Sequence, residues 1–226
     1  MDEALYNYLC SFLHERKKEL FDRIAANRTR HITVVLEDMY QSQNASAVMR
    51  TAEACGIQDV YVIENKNAFM VRKRISKGSS LWLTLHRFNS TEDNTVKCFE
   101  ALKEKNYRIV ITSSHDSDLP LEKLDVSEKT AIVFGTELLG ISEKAKKLAD
   151  ASVTIPMHGF TESLNVSSAA AIVLHYLNSK LHNSNVNWQL SEKHQLDLKL
   201  EWAKKSVEVS DQLIELFESG TTGSNN

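Results

Sequence analysis

The amino-acid sequence predicts an α/β protein whose mostly parallel sheet is flanked by helices. Short β-branched runs such as His31–Glu37 and Thr130–Phe134 lack the polar alternation of a strand with one wet face, so both faces should be covered. Segments with apolar residues at helical spacing separate these runs. A chain of 226 residues, 42% of them hydrophobic, can bury one sizeable core with helical additions at its ends.

The N-terminal stretch, residues 1–30, is predicted to be a helical extension. From Asp2 to about Asn27, apolar residues recur every three or four positions, which indicates one or two amphipathic helices. Their polar side is rich in lysine and arginine, including Arg30, but acidic residues are interleaved. A solvated helix face and a contact with nucleic acid are therefore equally open from the residues alone.

The central part, residues 31–182, is predicted to alternate strands with helices. A strand over 31–37, a helix over about 44–55 that ends at Gly56, and a strand over 59–63 form a first β-α-β unit. The alternation continues with strands near 82–86, 107–112, 130–134 and 152–155, and with helices near 91–105, 143–149 and from 163 onward. Such alternation favours a mostly parallel sheet. Residues 183–226 are predicted to be a C-terminal helical extension with a flexible polar tail.

Composition excludes several classes of protein. The formal net charge of −3 carries no global nucleic-acid signature, so such a partner must meet a local basic patch. The widely spaced Cys10, Cys55 and Cys98 indicate neither a disulfide framework nor a zinc site, and the eight histidines show no ligand spacing, so we expect no metal. Early charges at Asp2 and Glu3 and the lack of a long apolar run argue against a signal peptide or a membrane span. A soluble, cytoplasmic protein is expected.

We call residues 66–90 the basic segment, because they contain six lysines and arginines and no acidic residue. Aromatic side chains and the run Gly78–Ser80 are interleaved with these charges, which suits a flexible loop that contacts a phosphate backbone. The alternative is an ordinary solvated loop. The residues predicted to make this contact are Arg72, Lys73, Arg74 and Lys77, together with Arg30.

Polar groups gather at three places where predicted strands end, and ligands bind at such places in open α/β sheets. The first cluster is residues 44–50. Asn44 is a plausible helix N-cap, and both capping alone and a functional role are open. Arg50 lies among small and apolar residues, so it is either a surface charge or a partner for an anion or a hydroxyl group.

The second cluster is residues 134–142. Gly135 and Gly140 lie on either side of Glu137 at the end of a buried strand. One interpretation is a tight strand-to-helix connection in which Ser142 caps the helix that follows. The other is a loop whose backbone approaches a flat ligand and in which nearby donors hold Glu137.

The third cluster is residues 155–166, where a short strand stops at Pro156 and a glycine-containing loop leads into a helix. The first turns of that helix carry serine and alanine, whose small side chains let a backbone come close to a ligand. Exposed backbone N–H groups at a helix start suit a polar or anionic ligand. Ser163 and Asn165 are the polar side chains of this cluster.

Several common catalytic motifs are absent, including G-x-G-x-x-G, the P-loop, H-E-x-x-H and G-x-S-x-G. Instead, N-x-S-A-V-x-R, F-G-T-E-x-x-G-I-S and I-P-M-x-G-x-x-x-S-L-N-V-S, taken in order, resemble the three motifs of the SPOUT-class RNA 2′-O-methyltransferases, closest to the TrmH type. The resemblance spans about residues 32–178. It implies an α/β domain, here residues 31–182, with a C-terminal deep trefoil knot. It also implies S-adenosyl-L-methionine bound in the knot and a homodimer.

The resemblance assigns roles to residues by their positions in the motifs. It implies a catalytic or substrate-handling role for Asn44, Arg50, Glu137, Ser163 and Asn165. It implies that the cofactor is held, largely by backbone groups, around Thr112, Gly135, Glu137, Gly140, Ile155, Met157, Ser163 and Leu164. It also makes RNA the nucleic acid expected at the basic segment.

The terminal helical extensions resemble those of the enzymes that methylate tRNA. The resemblance therefore implies that the target is the guanosine at tRNA position 18, in the D-loop. Two alternatives stay open: the same chemistry on ribosomal RNA, and a non-catalytic RNA-binding member of the family. The presence of all five catalytic-type residues argues against the second alternative.

Overall fold

The computed structural model describes residues 2–76, 78–113, 118–136 and 139–222. The chain divides into two compact units. One comprises Thr29–Trp188, and the other comprises Met1–Arg28 together with Gln189–Asn226. The two terminal segments, which sequence analysis treats as separate extensions, thus belong to one unit.

The unit Thr29–Trp188 contains a sheet in which every neighbouring pair of strands is parallel. Its strands are β1 (Ile32–Glu37), β2 (Asp59–Ile63), β3 (Thr84–Phe88), β4 (Arg108–Ser113), β5 (Leu119–Pro120), β6 (Thr130–Phe134) and β7 (Ala151–Thr154). Their order in the sheet is β3-β2-β1-β6-β4-β7-β5. The predicted α/β fold with a parallel sheet is confirmed. The two-residue strand β5 was not predicted.

Helices cover both faces of this sheet. They are α3 (Ser42–Ala54), α4 (Lys73–Ser76), α5 (Asn94–Glu104), α6 (Glu143–Leu148) and α7 (Val166–His182), and short 3-10 turns lie at Ser79–Leu81 and Leu121–Lys123. Side chains of α3 and α7 share a core with Val34 of β1, whereas side chains of α5 and α6 share a core with Val35. All six residues of β1 are buried, which explains why this strand shows no polar alternation.

Two helices begin at positions other than those predicted. Asn44 is not an N-cap, because Gln41 precedes α3 with an extended backbone and Asn44 lies within the first turn. α7 begins at Val166 rather than near Ser163. The reason is that the side chain of Asn165 accepts a hydrogen bond from the backbone N–H of Ser167 and so caps the helix.

The second unit is helical and consists of α1 (Asp2–Cys10), α2 (Glu15–Ala25), α8 (Glu192–Ser206) and α9 (Ser210–Thr222). Its core contains Trp202, whose ring centroid lies 5.7 Å from that of Phe21. The guanidinium of Arg28 is buried 5.5 Å from the Trp202 ring. No helix within the described ranges is both long and apolar enough to cross a membrane.

Candidate active site

A cavity of about 590 Å³ lies at the carboxyl ends of β4, β6 and β7. Its walls come from the end of β4, from the loop after β6, and from the segment between β7 and the first turns of α7. The position agrees with the rule that open α/β sheets bind ligands beyond the carboxyl ends of their strands. Apolar side chains such as Ile111, Val153 and Val173 form part of the lining, and the charged Asp118 and Lys146 are also present.

The structure brings most of the predicted cofactor-binding residues to this cavity. The lining includes Thr112, Gly135, Gly140, Ile155, Met157, Ser163 and Leu164. These residues come from two of the three predicted clusters and from the end of β4. Glu137, for which both a catalytic and a cofactor role are predicted, lies outside the described residues.

Backbone hydrogen bonds join described residues of the loop after β6, residues 135–142. The backbone N–H of Thr136 donates to the carbonyl of Gly140 over 3.0 Å, and the N–H of Gly140 donates back to Thr136 over 3.0 Å. A Cβ atom built on Gly135 would lie 2.3 Å from the Gly140 carbonyl oxygen, so this position needs glycine. Gly140 has a φ of 66°, a left-handed conformation that glycine adopts at little cost. Because Gly135 and Gly140 carry no side chain, the loop presents backbone to the cavity at these two positions.

The first and third sequence clusters meet beside the cavity. Asn165 lines the cavity and its Nδ2 donates a hydrogen bond of 3.3 Å to Oδ1 of Asn44. Asn44 in turn donates to Oε1 of Gln41 over 3.3 Å. The Oδ1 atom of Asn165 accepts from Ser167, which fixes its amide orientation and leaves its Nδ2 for Asn44. Two residues that are 121 positions apart are thus held as a pair.

Arg50 is placed differently from the other predicted catalytic residues. It lies on α3 with an exposed side chain, and it is not among the described residues that line the cavity. Ser163 and Asn165 do line the cavity. The described part of one chain therefore brings Ser163, Asn165 and Asn44 together but does not bring Arg50 into the cavity.

The basic segment is attached to α3. Arg72 donates from its backbone N–H to Oγ of Ser46 and from Nε to Oγ of Ser42, both over 2.8 Å. Arg87, another cation of this segment, forms a 2.8 Å ion pair with Glu64, and its hydrogen bonds hold the pKa of Glu64 below the ordinary value. Arg74 is exposed. Lys77 and the side chain of Lys73 fall outside the described residues.

Arg30, also predicted to contact RNA, lies at the opposite edge of the sheet. Its Nε is 3.2 Å from Asp59 at the start of β2, and Nε2 of His86 is 3.6 Å from the same carboxylate. Burial acts to raise the pKa of Asp59, but the neighbouring His86 and the charge of Arg30 outweigh it. The pKa is therefore held below the ordinary value. The RNA contact of Arg30 stays a prediction.

Sequence reasoning missed two residues at the end of β1, Glu37 and Asp38. Glu37 is buried, and its carboxylate accepts hydrogen bonds from Ser142 in the loop 135–142. Asp38 has a φ of 51° and accepts backbone hydrogen bonds from Asn65, which precedes the basic segment, and from Lys66, which begins it. The sequence feature that could have indicated them is a pair of acidic residues at the end of a run of β-branched residues.

Comparison with known proteins gives one consistent answer. A model described as the SpoU rRNA Methylase family matches residues 31–175. A tRNA (guanosine(18)-2'-O)-methyltransferase of Borreliella burgdorferi is 40% identical over 199 residues, which are 88% of this chain and 89% of that protein. The family model covers the three motifs and the sheet that carries them.

Two solved structures are also similar. A tRNA-modifying enzyme of the TrmH/SpoU type from A. aeolicus superposes with a TM-score of 0.77 and 24% identity, over 85% of this chain and 98% of that one, which shows the shared fold. The SpoU methyltransferase AviRb from Streptomyces viridochromogenes, in complex with the cofactor AdoMet, superposes with a TM-score of 0.62 and 26% identity, over 72% of this chain and 65% of that one. The resemblance seen in the motifs is confirmed: the chain belongs to the SpoU rRNA methylase family.

Proposed function

We propose that this protein is an S-adenosyl-L-methionine-dependent RNA ribose 2′-O-methyltransferase that acts on the guanosine at position 18 of tRNA. The observation that carries the proposal is the hydrogen bond between Asn44 and Asn165 at the cavity. It joins the motif after β1 to the motif before α7, so that polar groups of both lie beside one ligand-sized space. The similar protein of Borreliella burgdorferi bears the name of this activity.

The cavity suits S-adenosyl-L-methionine. Its volume of about 590 Å³ lies within the usual range for small-molecule sites. The Gly135 and Gly140 backbone can approach a flat adenine ring, while Ile155, Met157 and Leu164 offer apolar contact. When bound, the cofactor supplies a methyl group activated by a positively charged sulfur. AviRb, which shares this fold, has been solved with AdoMet.

The chain's own residues must orient the ribose and ease the loss of its proton. The 2′-oxygen bonds to the methyl carbon as the sulfur–methyl bond breaks, and the hydroxyl proton passes to water. Ser163 and Asn165 supply polar groups inside the cavity, and Asn44 fixes the amide of Asn165. A guanidinium stays protonated at ordinary pH. We therefore assign Arg50 to orienting the hydroxyl, together with an adjacent RNA phosphate, rather than to removing the proton.

RNA contact is assigned to the basic segment. Arg72 is anchored to Ser42 and Ser46 on α3, the helix that also carries Asn44 and Arg50. Lysine and arginine in this segment can therefore hold phosphates close to the cavity. Ribosomal RNA is the second candidate substrate, because the description of the matching family model names rRNA.

Three further features belong to the proposal. The resemblance implies a deep trefoil knot, and the end of β4, the loop after β6 and the start of α7 line the cavity that such a knot would contain. It also implies a homodimer that completes the site. The exposed Arg50 outside the cavity and the exposed Ile172 on α7 support pairing with a second copy. A cytoplasmic location follows from a tRNA substrate.

One labelling experiment tests the proposal. The protein is incubated with methyl-labelled S-adenosyl-L-methionine and, separately, with unmodified tRNA and ribosomal RNA, and the labelled nucleotide is mapped after nuclease digestion. We expect label in tRNA as 2′-O-methylguanosine at position 18. Label in ribosomal RNA alone would overturn the tRNA assignment, and no label in either RNA would leave a non-catalytic RNA-binding protein.

A further inference from the structure

The side chain of Glu37, at the end of β1, is 2% exposed and holds the far end of the loop 135–142. Its Oε2 accepts a hydrogen bond of 3.0 Å from the backbone N–H of Ser142, and its Oε1 accepts one of 2.7 Å from Ser142 Oγ. Thr95 Oγ1 donates to Oε1 over 3.0 Å. A buried carboxylate needs such partners, because an unpaired one is costly to bury.

Ser142 is the point where the loop becomes a helix. Its Oγ accepts from the backbone N–H of Ala145 over 3.1 Å and so caps α6. At the near end of the loop, Leu36 of β1 lies in register with Phe134 of β6. Adjacent residues of one strand, Leu36 and Glu37, therefore fix the two ends of a loop that lines the cavity.

A second layer of hydrogen bonds fixes the direction of the contact from Thr95. Asn65 Nδ2 donates to Thr95 Oγ1 over 2.9 Å, so the Thr95 hydroxyl proton is left to point at Glu37. Asn65 Oδ1 accepts from the backbone N–H of Asn94 over 3.0 Å, which orients the Asn65 amide. The contacts to Glu37 are thus specified by side chains that have settled partners of their own.

Asp38, the neighbouring acid, holds a different loop. Its Oδ1 accepts from the backbone N–H groups of Asn65, Lys66 and Asn67 over 2.7, 2.8 and 3.3 Å. Asn65 precedes the basic segment, and Lys66 and Asn67 begin it. The two acids, adjacent in sequence, therefore secure two different parts of the site.

We propose that Glu37 is a positioning residue of the cofactor site: it holds the loop 135–142 so that the backbone at Gly135 and Gly140 faces the cavity. The inference rests on the proposed function and extends it to a residue outside the three motifs. Glu37 is not among the described residues that line the cavity, so it acts through Ser142.

The test compares three variants of the full-length protein. Glu37→Gln keeps the shape of the side chain but removes one of its two acceptor oxygens, and Ser142→Ala removes the same contact from the other end. Asp38→Asn is the matched control, an equal change one residue away. For each protein we would measure the Kd for S-adenosyl-L-methionine by calorimetry and for tRNA by filter binding. Amide hydrogen exchange over residues 139–148 would be measured without cofactor.

Glu37→Gln and Ser142→Ala should each raise the cofactor Kd about tenfold, the usual scale for a hydrogen bond to a charged group. Both should also speed amide exchange near Ser142 and Ala145 and leave the Kd for tRNA unchanged. Asp38→Asn should leave the cofactor Kd unchanged. If Glu37→Gln does not fold, Ser142→Ala decides.

Two outcomes would overturn the inference alone. In the first, Glu37→Gln binds the cofactor as tightly as the wild type and shows the same amide exchange. In the second, Asp38→Asn loses as much cofactor affinity as Glu37→Gln does. The second outcome would mean general loosening of this edge of the sheet. Wild-type protein that binds no S-adenosyl-L-methionine would instead refute the proposed function, and the inference with it.

Discussion

The two edges of the parallel sheet each bury a carboxylate, and they satisfy it in opposite ways. At the carboxyl edge, Glu37 accepts hydrogen bonds from two hydroxyls and one backbone amide, all uncharged groups. At the amino edge, Asp59 is 5% exposed and faces the guanidinium of Arg30 and the ring of His86. The partners of Glu37 lie at the starts of two helices, whereas those of Asp59 lie just before β1 and within β3.

The difference between the two carboxylates indicates that one edge of the sheet serves function and the other serves stability. Around Asp59, Tyr107 donates to the carbonyl of Arg30 over 2.6 Å, and Lys129 lies 4.2 Å from the Tyr107 ring. This network of charged and aromatic groups lies near the starts of strands, and its members are not among the described residues that line the cavity. The hydrogen-bond network around Glu37 ends in the loop 135–142, which lines the cavity. Changes at the carboxyl edge should therefore alter methyl transfer, and changes at the amino edge should alter the free energy of unfolding.

The sharpest test of this separation is Arg50→Ala compared with Arg108→Ala. Arg50 is exposed on α3, and Arg108 lies at the amino edge at the start of β4. Arg50→Ala should lower kcat for methyl transfer about 10²- to 10³-fold, the range for loss of a donor that stabilises developing negative charge on oxygen. The cofactor Kd should stay the same. Arg108→Ala should keep wild-type kcat, and near-normal turnover by Arg50→Ala would remove Arg50 from the proposed mechanism.

A second test inserts one methyl group into the loop 135–142. In Gly135→Ala the new Cβ would meet the Gly140 carbonyl at 2.3 Å, so the loop must shift. Overpacking of this kind costs about 1–3 kcal/mol, and we expect it as a cofactor Kd raised about 5- to 150-fold. Gly159→Ala is the matched control, since its nearest heavy atom would be 3.9 Å away. Equal cofactor Kd values in the two variants, measured by calorimetry, would contradict a tightly closed loop.

A third test concerns RNA binding. Replacing Arg72, Lys73, Arg74 and Lys77 together by alanine should weaken tRNA binding and flatten its dependence on salt. Each lost phosphate contact lowers the slope of log K against log salt by about 0.7–0.9. The control replaces Lys105 and Lys129 by alanine. Nζ of Lys105 donates a hydrogen bond to Tyr61 Oη, and Nζ of Lys129 donates one to the Lys105 carbonyl. An unchanged slope in the first variant, or an equal drop in the control, would show that the basic segment is an ordinary solvated loop.

The smallest effect on methyl transfer is expected from Asp59→Asn. The lowered pKa of Asp59 means that its charged form stabilises the fold. This contribution is present above the ordinary pKa of 3.8 and is lost as pH falls through the lower folded value. Asp59→Asn should therefore lower the free energy of unfolding by about 1–3 kcal/mol near neutral pH.

The difference between wild type and Asp59→Asn should close as urea unfolding is repeated at decreasing pH, below about pH 4. Turnover per folded molecule should not change. A stability gap that persists in acid would mean that the Asp59 charge contributes little, and a fall in turnover would break the separation between the two edges.

The sequence predicts the central strands and the place of the site, but not the support behind the site. Strands such as β1 and β6 are runs of buried β-branched residues, and the rule for parallel sheets then places the clusters at one edge. β5 has two residues and carries no such pattern. The role of Glu37 depends on Thr95 and Ser142, which lie 58 and 105 positions away. No local pattern specifies partners at that distance.

The strand order has a consequence for folding of the protein during its synthesis. Val34 of β1 pairs on one side with Val60 of β2 and on the other with Ile132 of β6. During translation, β1 therefore keeps an unpaired apolar edge until β6 leaves the ribosome, an interval on the order of ten seconds at about 5–20 residues per second. Such an edge is a template for aggregation. Yield of this protein in cells should depend on chaperone capacity and on the speed of elongation between these two strands.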